Sequence, residues 1–356
     1  FARAGVAPEQ AGQIVFGNVL HTEARDMYVS RVVGVNAGMA KESAALTLNR
    51  LCGSGLQAIV TAANAIQLGD TEIAVGGGGE TMSRALYATQ AARWGARMGD
   101  IAMIDMMVGA LSDPFGGGHM GVTAENIAAQ FGITRDEQDA FAVESQRRAV
   151  AAIAAGHFKS QIVPVELKTR KGVALFDTDE HPKADTTLES LAKLRPAFKK
   201  ENGSVTAGNA SGLNDGAAAC VLMEAGAASR AGLKPLARLV SYAVAGVDPS
   251  IMGTGPIPAV KLALKRAGLG LNDMHVIESN EAFAAQSLGV CRGLDLDPAR
   301  TNPNGGAIAL GHPLGASGAI ITVKCLYELI RTNQRYGLIT MCIGGGQGIA
   351  AIIERL

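Results

Sequence analysis

Residues 46–69 read LTLNRLCGSGLQAIVTAANAIQLG. The stretch opens as an apolar run, breaks at Cys52-Gly53-Ser54-Gly55, and resumes with apolar residues at Leu56, Ile59, Val60, Ala63 and Ile66 before Gly69. That spacing predicts a strand, a tight turn and an amphipathic helix ended by glycine. Cys52 then stands between a strand end and a helix N-terminus, where backbone N–H groups and the helix dipole favour a thiolate. The expectation is a lowered thiol pKa and a sulfur that projects outward beside small residues, as in a nucleophile elbow. A free cysteine is more commonly an inert core residue, and on this stretch alone the two readings weigh equally.

The turn recurs. Arg3-Ala4-Gly5-Val6, followed by Gln13-Ile14-Val15, returns as Arg266-Ala267-Gly268-Leu269, followed by His275-Val276-Ile277. The same offset carries Ser54-Gly55 onto Ser317-Gly318, inside GHPLGASGAIITVKCLYELI (311–330), again a Gly-rich turn feeding an apolar helix. IAVGGGGETMS (73–83) answers to LITMCIGGGQG (338–348), each an apolar strand running into glycines. Self-similarity on this scale predicts two related halves, each with alternating strands and helices that favour an α/β layered fold with mixed sheets. The second copy has a strand-like LARLVSY (236–242) and a helix PAVKLALKRAG (258–268) leading into its Arg-Ala-Gly, where the first has only Phe1 and Ala2. The repeat therefore predicts a further strand ahead of Phe1.

Residues 85–205 differ in texture and read as an inserted loop domain. VTAENIAAQFGITRDEQDAFAVESQRRAVAAIAAG predicts two helices, the second with Thr134 as N-cap and Glu137 at the capping-box position. A turn-rich excursion of short elements follows, and insertions on rigid α/β scaffolds commonly carry substrate contacts. TAGNASGLNDGAAACVLM (206–223) predicts a turn, a helix and a buried strand that complete the first half. The expected division is 1–84 with 206–234, then 85–205, then 235–356.

Composition narrows the function. At 356 residues, 48% of them hydrophobic and with 32 basic side chains matched by 32 acidic ones, the chain suits a soluble multidomain protein and lacks the basic excess of a nucleic-acid binder. Five cysteines without CxxC pairing argue against a disulfide framework and a zinc site and suit a reducing cytoplasm. No apolar run reaches the roughly 18 residues of a membrane span. GGGGE at 76–80 lacks the dinucleotide-binding spacing, and neither GxxxxGK[ST] nor HExxH occurs. Cys220, Cys291 and Cys325 lie in apolar patterns and read as core.

Three further places join Cys52 as chemistry. His312 precedes the second Gly turn, and imidazole is the usual base for a thiol. Cys342 ends the strand LITMC, with Gly344 to Gly346 beyond it, where backbone N–H groups are free to approach an oxyanion. Two exposed strand-end cysteines in related halves suggest two thiols facing one pocket. Asn280, in SNEAF (279–283), is a donor at another strand end, although asparagine there is more often a turn residue.

NRLCGSGLQA, HMGVTAEN, RDEQDAFAVESQ, KLRPAF, TAGNASGLNDGAAA, GVDPSIMGTGPIPA, NEAFAAQ, GGAIALGHPLGASGA and CIGGGQGIA together resemble the thiolase family over essentially the whole chain. HTEARDMYVSR and ARWGARMGD look most like its bacterial biosynthetic and broad-range β-ketothiolase branches. The resemblance implies a five-layered αβαβα fold and reversible Claisen condensation of two acyl-CoA molecules, or CoA-dependent thiolysis of a 3-ketoacyl-CoA, through an S-acyl cysteine. It implies Cys52 as nucleophile, His312 as its activator, Cys342 as acid/base, Asn280 as holder of a water at the enolate oxygen, and the N–H groups of Cys52 and Gly344 as oxyanion hole. Met120 with His119 would line the acyl pocket, Ala282 and Phe283 lie beside Asn280 in the same motif, and Ser211, Lys183 and Phe198 would meet CoA. It implies no metal or resident cofactor, CoA being substrate and product, a cytoplasmic homotetramer with Arg93 to Gly99 near the assembly loop, and a place in fatty acid metabolism. A 3-oxoacyl-ACP synthase would set two histidines, or His and Asn, opposite the cysteine, where this chain has Cys342. A silent thiolase-like scaffold or lipid carrier would lack one of these residues. A cysteine hydrolase would need an Asp or Asn behind the histidine.

Overall fold

In strand β1 (Gln13–Gly17) alternate side chains serve two different cores. Ile14 and Phe16 pack with Val75 and with Val33 of helix α1 (Val29–Asn36), whereas Val15 packs with Ala58 and Ala62 of helix α2 (Ser54–Gln67). A strand buried on both faces needs helices on both sides, and this one has them. The computed structural model describes residues 1–170 and 172–356.

The first sheet has the order β4-β3-β1-β2, with β2 at Ala44–Leu48, β3 at Ile73–Thr81 and β4 at Asp215–Met223. β1 runs parallel to β2 and β3, and β4 runs antiparallel to β3. The second sheet has the order β5-β8-β7-β6, with β5 at Ala237–Gly246, β6 at Val276–Ser279, β7 at Tyr336–Ile343 and β8 at Gln347–Arg355. β6 is parallel to β7, and β8 is antiparallel to β7 and β5. The repeat offset places β1 on β6 and β3 on β7, and β8 takes beside β7 the antiparallel place that β4 takes beside β3. A parallel bridge between Ile277 and Thr301 stands where β2 stands in the first half. Among the described residues β5 has no counterpart beside β4.

Helix α5 (Pro256–Ala267) covers the outer face of the second sheet through Ala259, Val260, Ala263 and Leu264. Its inner face carries Val276, Ile339, Met341 and Ile343, packed on Leu56 of α2 and on Ile321, Cys325 and Leu329 of α7 (Leu314–Arg331). The layers are therefore helix, sheet, paired helices, sheet, helix. No helix among the described residues is long and apolar enough to cross a membrane.

α2 and α7 meet backbone to backbone. A Cβ on Gly55 would stand 2.7 Å from Ala319 N, and one on Gly318 would stand 2.3 Å from Leu56 N. In an exposed helix interior Gly→Ala stabilises by about 1 kcal/mol; here the sign reverses. Gly318→Ala is expected to lower unfolding stability by about 1–3 kcal/mol, the usual cost of overpacking, measured by urea denaturation.

The two predicted helices of the inserted region are α3 (Met120–Phe131) and α4 (Arg135–Ala154), and Thr134 and Glu137 do form a capping box. The later excursion contains an exposed antiparallel hairpin, Val165–Thr169 with Gly172–Phe176, and a short helix at Leu188–Ala192. Residues 206–214 hold no helix, contrary to expectation. Their polar side chains take the backbone instead: Asn209 Oδ1 accepts from Thr206 N at 2.8 Å, and Asn209 Nδ2 donates to Asp139 Oδ1 at 2.9 Å. β4 is also only partly buried. Its alanines, good helix formers, lie opposite the glycines of β3 as strand neighbours, so pairing overrides propensity.

Candidate active site

The Cys52 turn is fixed by Ser54, whose Oγ accepts from Arg50 N at 2.8 Å and donates to Leu51 O at 2.7 Å. Leu51 takes φ +46°, a left-handed conformation unfavourable for a branched side chain and typical of a strained functional turn. Gly53 lets the end of β7 close on the turn, since a Cβ there would stand 2.6 Å from Ile343. Backbone N–H groups of Gly344 and of Cys52 itself hydrogen-bond the Cys52 sulfur.

Those two donors favour the thiolate, as the sequence suggested, but burial wins and pushes the Cys52 thiol up to about 11. The turn faces inward. Cys52 is half-buried among Leu20, Met82 and Leu314 rather than projecting outward. Cys342 is likewise not exposed: only 1% of its surface is accessible, with Met120, Ala282 and Phe283 packed against it. Burial pushes its thiol up, and the charge on Cys52 pushes it further. The two sulfurs thus sense one another.

His312 is 5% exposed and burial lowers its pKa to about 4, which leaves the imidazole neutral near pH 7. Its Nδ1 lies 2.6 Å from Ser317 Oγ, and its Nε2 lies 3.5 Å from Asn280 Nδ2. An amide nitrogen only donates, so Nε2 accepts and the proton sits on Nδ1, directed at Ser317. Asn280 N donates to Thr340 O at 3.0 Å, two residues before Cys342.

Beneath Asn280 lies a buried polar support. Glu281 accepts from Ser145 Oγ at 2.6 Å, Asn302 Nδ2 at 2.8 Å and Ile308 N at 3.3 Å. Lys324 Nζ donates to Glu278 Oε2 at 2.9 Å and to Gly305 O at 2.6 Å. Desolvation moves the Glu278 carboxyl up to about 7 even with Lys324 beside it. Because breaking a buried charged set is costly, this network fixes the strand end that carries Asn280.

The predicted pocket residues form one wall. Met120 Cε would be 3.4 Å from a Cβ on Gly344. His119 stacks on Phe198 with centroids 4.7 Å apart, and Phe198 meets Phe283 edge-on at 6.1 Å. Ser211 N donates to Ala282 O at 3.0 Å, which joins Ser211 to the same wall. Lys183 sits apart, with an exposed side chain and its backbone N on Gln146 Oε1 at 2.8 Å. Sequence reasoning missed Ser317, Glu281 and Asn214, whose Oδ1 accepts from His312 N at 3.0 Å. The repeat held a signal for Ser317, since it pairs with Ser54, the residue that fixes the other turn.

Residues 1–226 match the family model for the thiolase N-terminal domain, and residues 233–355 match that for the thiolase C-terminal domain. The chain belongs to the thiolase family. Among relatives of this thiolase, beta-ketothiolase BktB of Cupriavidus necator is 64% identical over 355 residues, covering 100% of this chain and 90% of the relative. Acetyl-CoA acetyltransferase of Pseudomonas aeruginosa is 53% identical over 353 residues, covering 99% and 89%. The fold matches the crystal structure of human mitochondrial 3-ketoacyl-CoA thiolase in complex with CoA, with TM-score 0.96, 47% identity, and coverage of 100% of this chain and 89% of that one. It also matches the Bacillus anthracis acetyl-CoA acetyltransferase, with TM-score 0.96, 46% identity, and coverage of 100% and 90%.

Proposed function

We propose that this thiolase is an acetyl-CoA C-acetyltransferase, a β-ketothiolase that condenses two acyl-CoA molecules or, in reverse, cleaves a 3-ketoacyl-CoA with CoA. The observation that carries the reading is the shared site: two thiols that sense one another, half-buried Cys52 and enclosed Cys342, with Gly344 N–H on the first and a neutral His312 on Asn280, whose backbone is bonded to the Cys342 strand. In thiolysis, His312 Nε2 takes the Cys52 proton and Sγ attacks the 3-keto carbon. The N–H groups of Cys52 and Gly344 hold the resulting oxyanion. The C–C bond then breaks, its electron pair becomes the acetyl-CoA enolate, and Cys342 donates the proton that yields acetyl-CoA. His312 then passes the proton it took from Cys52 to the Cys342 thiolate, which resets both groups. CoA loses its thiol proton to His312 and attacks the S-acyl carbonyl, and the departing Cys52 sulfur takes that proton back as the shortened acyl-CoA leaves. Condensation reverses each step, with Cys342 as base.

Asn280 with a bound water, and His312, steady the enolate oxygen. Met120, His119, Phe198, Phe283, Ala282 and Ser211 form the wall against the acyl and pantetheine parts of the substrate. Lys183, being exposed, suits a contact with the phosphates of CoA. No metal or resident cofactor takes part in these steps. The reading includes a cytoplasmic homotetramer, a dimer of dimers, acting in fatty acid metabolism. Support for an assembly surface comes from Trp94 and Met98, 90% and 96% exposed, since large apolar side chains so placed favour burial against another surface.

The test is to incubate the purified chain with acetoacetyl-CoA and CoA and measure acetyl-CoA by chromatography, while mapping acetylated peptides by mass spectrometry after acetyl-CoA alone. Production of acetyl-CoA with acetyl on the Cys52 peptide is expected. Absence of turnover in the folded protein, or acetyl on a different residue, overturns the reading.

A further inference from the structure

The repeat places Gly315 where the first half has Cys52, so each half presents one backbone N–H at the start of a central helix. At Cys52 that N–H faces the nucleophilic sulfur. At Gly315 it is already taken: it donates to Glu80 Oε2 at 2.8 Å. Glu80 ends the glycine run of β3, is 4% exposed, and also accepts from Val19 N at 3.0 Å, Leu20 N at 3.0 Å and Asn18 Nδ2 at 3.2 Å. The duplicated anion hole is thus filled by the protein's own carboxylate. There is no room for anything else, since a Cβ on Gly315 would stand 2.8 Å from Glu80 Oε2 and 3.0 Å from Asn18 Cα.

The consequence reaches the site. The segment 312–315 belongs to the second half, yet two of its backbone N–H groups are held by side chains of the first: His312 N by Asn214 and Gly315 N by Glu80. Pro313 between them has no N–H to offer. We propose that Glu80 is a positioning residue for the reaction at Cys52: its carboxylate locks the second Gly turn, and with it His312, onto the first half, and its charge is felt at the nucleophile. The titratable groups coupled to Cys52 through space are Cys342 from β7 and Glu80 from β3, while Glu80 is itself faced by Asp26. Glu80 raises the Cys52 pKa through space, adding to burial. A like charge beside a thiol disfavours the thiolate, so Glu80 adds to the burial that keeps the nucleophile protonated until His312 takes the proton.

This inference rests on Cys52 being the nucleophile, and its first readout, alkylation of the unliganded protein, needs no acyl-CoA, so its failure is distinct from a failure of wild-type thiolysis. The pH dependence of iodoacetamide alkylation at Cys52 is followed by peptide mass spectrometry on the full chain, with kcat and KM for acetoacetyl-CoA thiolysis in parallel. Glu80→Gln keeps the shape and removes the charge. Alkylation at fixed alkaline pH should rise about 3- to 10-fold, since tenfold in thiolate corresponds to one pKa unit. Its kcat should fall about 10-fold, because small misplacement of a catalytic base is expensive, with KM within about twofold. Glu80→Asp keeps the charge but is one methylene short of Gly315, so the alkylation profile should stay at wild type while kcat falls. A wild-type alkylation profile in folded Glu80→Gln, or full kcat in either variant, overturns the proposal. Should Glu80→Gln fail to fold, Glu80→Asp decides: reduced kcat with unchanged alkylation supports it, and any other result overturns it.

Discussion

Cys52→Ala is expected to lower acetyl transfer and thiolysis by on the order of 10⁴-fold or more, with no acetylated peptide anywhere in the chain. The size follows from the lack of a substitute nucleophile. Cys342 is almost fully enclosed and its thiol is pushed further up than that of Cys52, while His312 already directs its Nδ1 proton to Ser317. The pH profile supplies a second check. Burial puts the His312 pKa at about 4 and the Cys52 pKa at about 11, so the pair remains neutral imidazole and neutral thiol between those values. The base is lost as pH falls through about 4, and free thiolate appears only as pH rises toward about 11. Alkylation of wild-type Cys52 should therefore still be climbing at the alkaline end of its profile. A plateau near neutrality would show that the thiolate is favoured after all.

Cys342→Ala separates the two halves of the reaction. Acetyl-CoA alone should still acetylate Cys52, because Gly344 N–H and His312 are untouched. Overall condensation and thiolysis should fall by about 10³-fold, within the usual range for loss of a general acid–base group. Rapid labelling of the Cys52 peptide combined with stalled product formation is the expected signature, read by quenched-flow mass spectrometry and chromatography. Equal loss of labelling and turnover would instead place Cys342 in acyl-enzyme formation.

Much of this was readable in one dimension because periodicity and turn chemistry are local. The helix after Cys52, the capping box at Thr134 and Glu137, and the repeated strands all follow from residue spacing. What depends on distant neighbours was not. The helix N-terminus argues for a thiolate at Cys52, yet Leu20, Met82 and Leu314 come from three other stretches of chain to bury it, and desolvation reverses the sign. The alanines of 215–223 favour a helix until the glycines of β3 supply an edge that fits them. Lys183 was placed by motif alone, and its side chain remains outside the wall formed by His119, Phe198 and Phe283.

The seam between α2 and α7 has a further consequence for how such a molecule can change. Gly55 and Gly318 bring main chain against main chain, so the contact that joins the duplicated units contains almost no side chain to exchange. Either half is free to vary its outer face with little effect on the other, but neither can alter this crossing without displacing its partner and, with it, the nucleophile or the base. With the acyl wall proposed above, variation in acyl preference falls to the inserted region around Met120 and Phe198, which can be remodelled while the crossing stays fixed.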